Sequence, residues 1–414
     1  MNIKAPKGTK DILPADSYKW QFIEDNFSKM AREFGYGEIR TPMFENTALF
    51  KRSVGETSDI VQKEMYTFND MGKRSLTLKP EGTSPAVRAF SCSTDVRAIK
   101  PHKYYYDIPC FRYENTQEGR YREFHQFGVE IFGSDSMLSD AEVIALADSF
   151  LRKMGIDDLE LRINSVGCKE CRPVYRKALQ DYLMPNFYKL SDDSKKRFET
   201  NPMRILDSKE ECDKELVENA PTILDYLCDD CRKAFTDIKL LLDEMNIAYI
   251  VDSGIVRGLD YYTKTAFEFI SKRLGSQGTV CGGGRYDHLV KEIGGQDLTG
   301  VGFGMGKERL LMLMSENGHN FGGIYKPDYF VAFVSDEARL YAINLVNALR
   351  NSGKSAIIDV CERKLKSQMK LADKVDAKCS IIIGEDEINS NKLTIKDMTT
   401  GNQIKVDRNE LLEV

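Results

Sequence analysis

Phe111-Arg-Tyr-Glu-Asn-Thr-Gln-Glu-Gly-Arg-Tyr-Arg-Glu-Phe-His-Gln-Phe-Gly-Val-Glu130 is the stretch whose reading decides the fold. It continues through Ile131 and Phe132 and follows Lys103-Tyr-Tyr-Tyr-Asp-Ile108, so two aromatic, strand-like runs flank a polar tip from Glu114 to Arg120. That pattern predicts an antiparallel sheet with a long hairpin. Strand side chains alternate between faces, so Arg112 and Glu114 should share one face, and Phe124, Gln126 and Glu130 should share one on the return strand. Arg112 could fork onto a phosphate and Phe124 could stack on a purine ring. The plainer alternative is a cross-strand ion pair beside a core phenylalanine.

Upstream, Trp20, Ile23, Phe27, Met30 and Phe34 recur at spacings of three and four, which predicts a helix over 16–34 ended by Gly35. Downstream, a helix over 139–154 and a strand over 159–163 are expected. The charged, cysteine-bearing stretch 168–246 then reads as a helical insertion. Strand-like, glycine-rich sequence resumes at Ile247 and runs to a helix starting near Gly306, and Tyr325-Lys-Pro-Asp328 looks like a linker. In the tail, strands over 329–334, 355–360 and 379–383 alternate with helices over 337–349 and 365–375, which predicts a small α/β module with a largely parallel sheet. Lys364, Lys366, Lys370, Lys374 and Lys378 cluster around its second helix, as a solvated face or an RNA contact.

A length of 414 residues suits two to four domains, and 42% hydrophobic with 30% charged residues is ordinary for a folded, soluble chain. No apolar run reaches membrane-spanning length, and the start carries lysines without an apolar core, so no membrane association and a cytoplasmic location are expected. A net charge of −5 gives no global basic footprint but leaves a local nucleic-acid patch open. The ten cysteines favour reduced thiols in that setting. Cys168 and Cys171, and Cys228 and Cys231, have CxxC spacing that would let four thiolates meet one Zn²⁺, but the spacer exceeds that of a compact zinc ribbon. Packed free thiols are the alternative, and no metal site is assigned from sequence.

The run Gly300-Val-Gly-Phe-Gly-Met-Gly-Lys307 invites a phosphate-loop reading, which fails because Val301 stands where the first glycine is needed and Glu308 replaces the Ser/Thr. The dinucleotide fingerprint fails as well, since Lys307 occupies its third glycine position. If ATP binds, side chains on an antiparallel sheet must hold it.

The opening stretch resembles motif 2 of class II aminoacyl-tRNA synthetases in its histidyl form. Gly35-Tyr-Gly-Glu-Ile-Arg-Thr-Pro-Met-Phe-Glu45 resembles motif 1, and Gly300 to Leu311 resembles motif 3, with Arg309 as its arginine. Arg257-Gly-Leu-Asp-Tyr-Tyr262 and Gly282-Gly-Gly-Arg-Tyr-Asp287 resemble the two segments peculiar to the histidyl enzymes. Lys7-Gly-Thr-Lys-Asp-Ile-Leu-Pro14 is similar to the family's opening, with Lys7 where arginine is common. Leu365 to Asp373 and Ile381 to Glu387 are similar to its anticodon-binding domain, so the likeness covers essentially the whole chain.

The resemblance implies an α+β fold: a six-stranded antiparallel sheet flanked by helices, a helical insertion and a C-terminal α/β domain. Residues 1–167 would form the first part of the catalytic core, 168–246 the insertion, 247–324 the second part of the core and 328–414 the anticodon-binding domain. It implies activation of L-histidine by ATP, with Mg²⁺ on the nucleotide, transfer to tRNA(His), and a homodimer. Arg112 and Arg257 would be catalytic, flanking the α-phosphate. Glu114, Arg120, Phe124 and Arg309 would complete the ATP site. Glu81, Gly82, Thr83 and Gln126 would surround the histidine α-ammonium, Glu130 and Tyr262 would bind its imidazole, and Tyr261 and Tyr286 would belong to the same pocket. The competing expectation is a catalytically silent relative that regulates the first enzyme of histidine biosynthesis; such relatives typically lack the tail and often lose site residues that are present here.

Overall fold

The computed structural model describes residues 3–55, 58–93, 100–208, 210–256, 261–273 and 278–413. The chain forms two compact units, Met1–Gly322 and Gly323–Val414.

In the first unit, helix α1 (Pro14–Glu33) precedes strands β1 (Gly37–Glu38) and β2 (Phe44–Asn46), helix α2 (Thr47–Val54), strands β3 (Thr67–Asn69) and β4 (Ser75–Leu78) and helix α3 (Thr83–Cys92). The hairpin of β5 (His102–Phe111) and β6 (Glu123–Phe132) follows, then helix α4 (Met137–Lys153) and strand β7 (Leu159–Ser165). A helical stretch contains α5 (Cys171–Leu183), α6 (Asp192–Thr200), α7 (Glu211–Val217) and α8 (Asp229–Glu244). Strands β8 (Ile250–Val251), β9 (Thr263–Ser271) and β10 (Thr279–Arg285), helix α9 (Leu289–Glu292), strand β11 (Gly300–Gly306) and helix α10 (Lys307–Glu316) complete it.

The large sheet runs β1-β5-β6-β11-β10-β9-β7-β8. Its six inner strands are antiparallel throughout, and the two-residue edge strands β1 and β8 pair parallel to their neighbours. The expected six-stranded sheet is therefore extended to eight by short edges. One face is closed by helices: Phe27 of α1 stacks on Phe127 of β6 at 4.2 Å, and Phe150 of α4 meets Phe27 edge-on at 5.2 Å. Buried residues of the helical stretch, among them Tyr175, Leu179, Phe235 and Ile238, join the same apolar cluster. The stretch expected as an insertion is thus continuous with the core of the sheet.

A second cross-link is ionic. The guanidinium of Arg285, at the end of β10, is wholly buried and donates to Asp140 in the first turn of α4, to the Ser134 and Ser136 carbonyls and to the Ser139 hydroxyl. Every donor found there has an acceptor, which is the condition for burying such a charge.

The second unit has strand β12 (Tyr329–Phe333), helix α11 (Asp336–Asn351), strand β13 (Ala356–Ile358), helix α12 (Leu365–Lys374) and strand β14 (Cys379–Ile383). Helix α13 (Glu385–Ser390), strands β15 (Lys392–Asp397) and β16 (Gln403–Asp407) and helix α14 (Arg408–Glu413) follow. The order is β13-β12-β14-β15-β16, with the first two pairings parallel and the last two antiparallel. The largely parallel sheet expected from sequence is therefore mixed. Charged residues in Lys392–Asp397 and Gln403–Asp407 hide a terminal hairpin whose strands carry few buried side chains. The five lysines around α12 are all exposed.

Candidate active site

The face of the large sheet opposite α1 and α4 is floored by glycine. Gly302 pairs with Glu130 and Gly284, Gly304 with Gly128 and Gly282, and Gly306 with Gln126. With no side chains standing on this floor, those of the neighbouring strands lie flat across it. A β-carbon on Gly302 would strike the Glu130 carboxylate, and one on Gly304 the Gln126 amide. The motif that resembled a phosphate loop is thus a strand. Lys307, just beyond it, points to the other face, where its buried amine pairs with Asp107 at 2.7 Å and with Glu24.

At one end of the floor Glu130 is fully buried. It accepts the phenol of Tyr106 at 2.9 Å and that of Tyr286. Burial pushes its carboxyl up to about 8, against the pull of the hydrogen bonds from Tyr286, Thr83 and Tyr106. The phenols of Tyr106, Tyr261 and Tyr286 are pushed well above their ordinary range, chiefly by burial and further by neighbouring groups that include Glu130, so they stay protonated and able to donate.

Beside this cluster, both Glu81 oxygens accept N–H groups of the first turn of α3, Thr83 at 2.7 Å and Ser84 at 2.9 Å. A carboxylate is favourable at a helix N-terminus, and its remaining lone pairs can still accept from an ammonium. Gly82 lets the Tyr106 ring close against this turn, since a β-carbon there would overlap the ring.

Toward the hairpin tip the same floor opens into a cleft of about 310 Å³ lined by Arg112, Glu114, Arg120, Phe124, Gln126, Glu268, Glu308 and Arg309. Arg112 donates to the Pro80 carbonyl at 2.7 Å, and its guanidinium lies 5.2 Å from the centre of the Phe124 ring. Glu114 is flanked by Arg120 and, at 3.7 Å, by Arg112. Arg309 reaches the Thr279 carbonyl at 2.5 Å. Burial, then the mutual proximity of the arginines, lowers the Arg309 guanidinium from its ordinary value. Three cations held close in a part-buried cleft make a strong site for a polyanion.

The sheet face therefore gathers Glu81, Gly82, Thr83, Gln126, Glu130 and Tyr286 near one end and Arg112, Glu114, Arg120, Phe124 and Arg309 near the other. One correction follows. β5 ends at Phe111, so Arg112 and Glu114 meet on the irregular segment beyond it and not by strand alternation. Tyr286, expected in the pocket, hydrogen-bonds Glu130 directly. Tyr262 is buried with its ring 4.7 Å from that of Tyr261, and its carbonyl accepts from Arg172. Arg257 lies outside the described residues. Tyr106 was missed, although pairing Phe111 with Glu123 sets it opposite Gly128, an aromatic over a glycine.

A family profile described as histidyl-tRNA synthetase matches residues 8–310, and one described as anticodon binding domain matches residues 328–414. The histidine–tRNA ligase of Caldanaerobacter subterraneus subsp. tengcongensis is 54% identical over 406 residues, covering 98% of this chain and 97% of its own. That of Acetivibrio thermocellus is 52% identical over 412 residues, covering 100% and 99%. The crystal structure of apo histidyl-tRNA synthetase from S. aureus matches with a TM-score of 0.85 at 40% identity, covering 100% of this chain and 99% of its own. With the profile spanning most of the chain and these relatives matching end to end, the chain belongs to the histidyl-tRNA synthetase family, within the class II ligases.

Proposed function

We infer that this chain joins L-histidine to ATP as histidyl-adenylate, releasing pyrophosphate, and then transfers histidine to the 3′ end of tRNA(His). The observation that carries the reading is one glycine-floored strip with a buried carboxyl group held by two phenols at one end and three arginines at the other. Glu130 is an acceptor suited to an imidazole N–H, and leaving either group unpaired in a buried site is costly, which is the basis for selecting histidine. Along β6, Phe124 and Glu130 are six residues apart, about 20 Å at ~3.4 Å per residue, room for an amino acid and a nucleotide end to end.

The nucleophile is the histidine carboxylate, already ionised at neutral pH, so the obstacle is repulsion by the α-phosphate. Arg112, fixed by the Pro80 carbonyl and Glu114, offsets that charge as the carboxylate oxygen attacks and the bond to pyrophosphate breaks. Arg120 and Arg309 hold the distal phosphates, Phe124 carries the adenine, and Arg257 offsets charge on the reacting carboxylate, the role its family segment implies. Glu81, Thr83 and Gln126 hold the α-ammonium. The cleft carboxylates Glu114 and Glu268 are hard oxygen donors that fit Mg²⁺ arriving with ATP. That ion supplies charge neutralisation on the phosphate oxygens. The working form is a cytoplasmic homodimer, and the second unit binds the tRNA anticodon.

The regulatory reading loses ground because the arginines and the second unit are present and the full-length relatives at 52–54% identity are ligases. Amino-acid-dependent ATP–pyrophosphate exchange tests the proposal. Exchange with histidine and with no other standard amino acid is expected, whereas histidine binding without exchange returns the protein to the regulatory class.

A further inference from the structure

Four cysteines from the two ends of the helical stretch meet at one point, away from the strip just described. Cys168 follows β7, Cys171 opens α5, Cys228 caps α8 and Cys231 lies in its first turn. All four sulfurs lie within 4.8 Å of one another, with Cys168 Sγ 3.6 Å from Cys171 Sγ and 3.8 Å from Cys228 Sγ. We propose that Cys168, Cys171, Cys228 and Cys231 form a structural Zn²⁺ site that clasps the two ends of the helical stretch together.

Geometry separates this from a disulfide pair or a chance cluster. Bonds of ~2.3 Å to a tetrahedral zinc put neighbouring sulfurs about 3.8 Å apart, close to the separations here, whereas disulfide sulfurs stand about 2.05 Å apart. Backbone N–H groups already aim at the sulfurs: Glu170 donates to Cys168 at 3.3 Å and Cys228 to Cys171 at 3.2 Å. Four thiolates around a divalent cation leave a net charge of −2, which the N-terminal ends of α5 and α8 offset. Gly167, at φ +67°, makes the turn into the site, and a β-carbon there would crowd the β-carbon of Cys171.

Four protein ligands leave no open position, so the site is structural and not hydrolytic. Its load is carried through Arg172, next to Cys171, which donates to the Val166 carbonyl at 3.1 Å and to the Tyr262 carbonyl. The clasp therefore fixes the first turn of α5 against the end of β7 and the start of β9.

The test uses the full chain purified without chelators. Elemental analysis should give about one zinc per chain, and Cys168→Ser with Cys231→Ser should abolish it. Replacing zinc by Co²⁺ should give the visible bands of a tetrahedral thiolate complex, a readout on the parent protein that holds even if the variants fold poorly. Stripping the metal should speed proteolysis between residues 171 and 228 by about tenfold while cleavage in 329–407 stays unchanged. A metal-free protein with four titratable thiols, iron in place of zinc, or zinc retained by the double variant would each overturn the proposal.

Discussion

Glu130 is a buried carboxyl that resists ionising, and this has consequences for both stability and binding. Between its ordinary value of 4.5 and about 8, the folded chain holds a proton that the unfolded chain has released. Stability therefore falls as pH rises through that window and levels off above it. Glu130→Gln should gain melting temperature relative to the parent as pH moves from about 5 to about 8; melting curves with the same pH dependence in both proteins would refute this. The same variant should raise the KM for histidine about 2- to 12-fold, from loss of ~0.5–1.5 kcal/mol of a hydrogen bond made by the neutral carboxyl. Pyrophosphate exchange measures that change, and an unaltered KM would move imidazole recognition elsewhere. Arg257→Ala should slow adenylate formation by about two to four orders of magnitude, from ~2.7–5 kcal/mol of transition-state stabilisation. That expectation rests on the resemblance of Arg257 to Tyr262 to its family segment. Single-turnover adenylation beside a thermal melt decides it, since a normal rate in a destabilised protein would make Arg257 a brace.

At the scale of elements, β11 is a strand whose glycines are defined by what lies over them. Gly304→Ala should push the Gln126 amide aside and raise the KM for histidine more than that for ATP, whereas equal changes would point to general disruption of the sheet. The join between β10 and α4 makes a different prediction. Arg285→Leu leaves Asp140 buried without its cation, so denaturation should show a loss of about 3–5 kcal/mol; a loss under 1 kcal/mol would mean that water or Lys264, which pairs with Asp287, replaces the guanidinium. The hairpin and its flanking helices were legible in sequence because aromatic alternation and a three-four apolar spacing are strong local signals. Arg112 and Glu114 were brought together for a reason the sequence hides, the end of pairing at Phe111. Tyr106 stood in a run of three tyrosines that only strand register could sort. β15 and β16 escaped because edge strands exposed to water lose the apolar alternation by which strands are found.

Across the whole molecule, each unit has its own apolar core. A chain ended at Gly322 should keep histidine-dependent pyrophosphate exchange while losing most tRNA charging; equal charging by the short and full chains would remove the second unit from tRNA recognition. The order of the large sheet bears on synthesis as well. β6 acquires its inner neighbour, β11, only after roughly 170 further residues have been added, a delay of about ten to thirty seconds at 5–20 residues per second. Throughout that interval the nascent hairpin presents an unpaired edge beside Phe127, Val129 and Ile131, just as neighbouring ribosomes on one message present theirs. Its hazard is pairing between identical nascent chains before the fold can close over it.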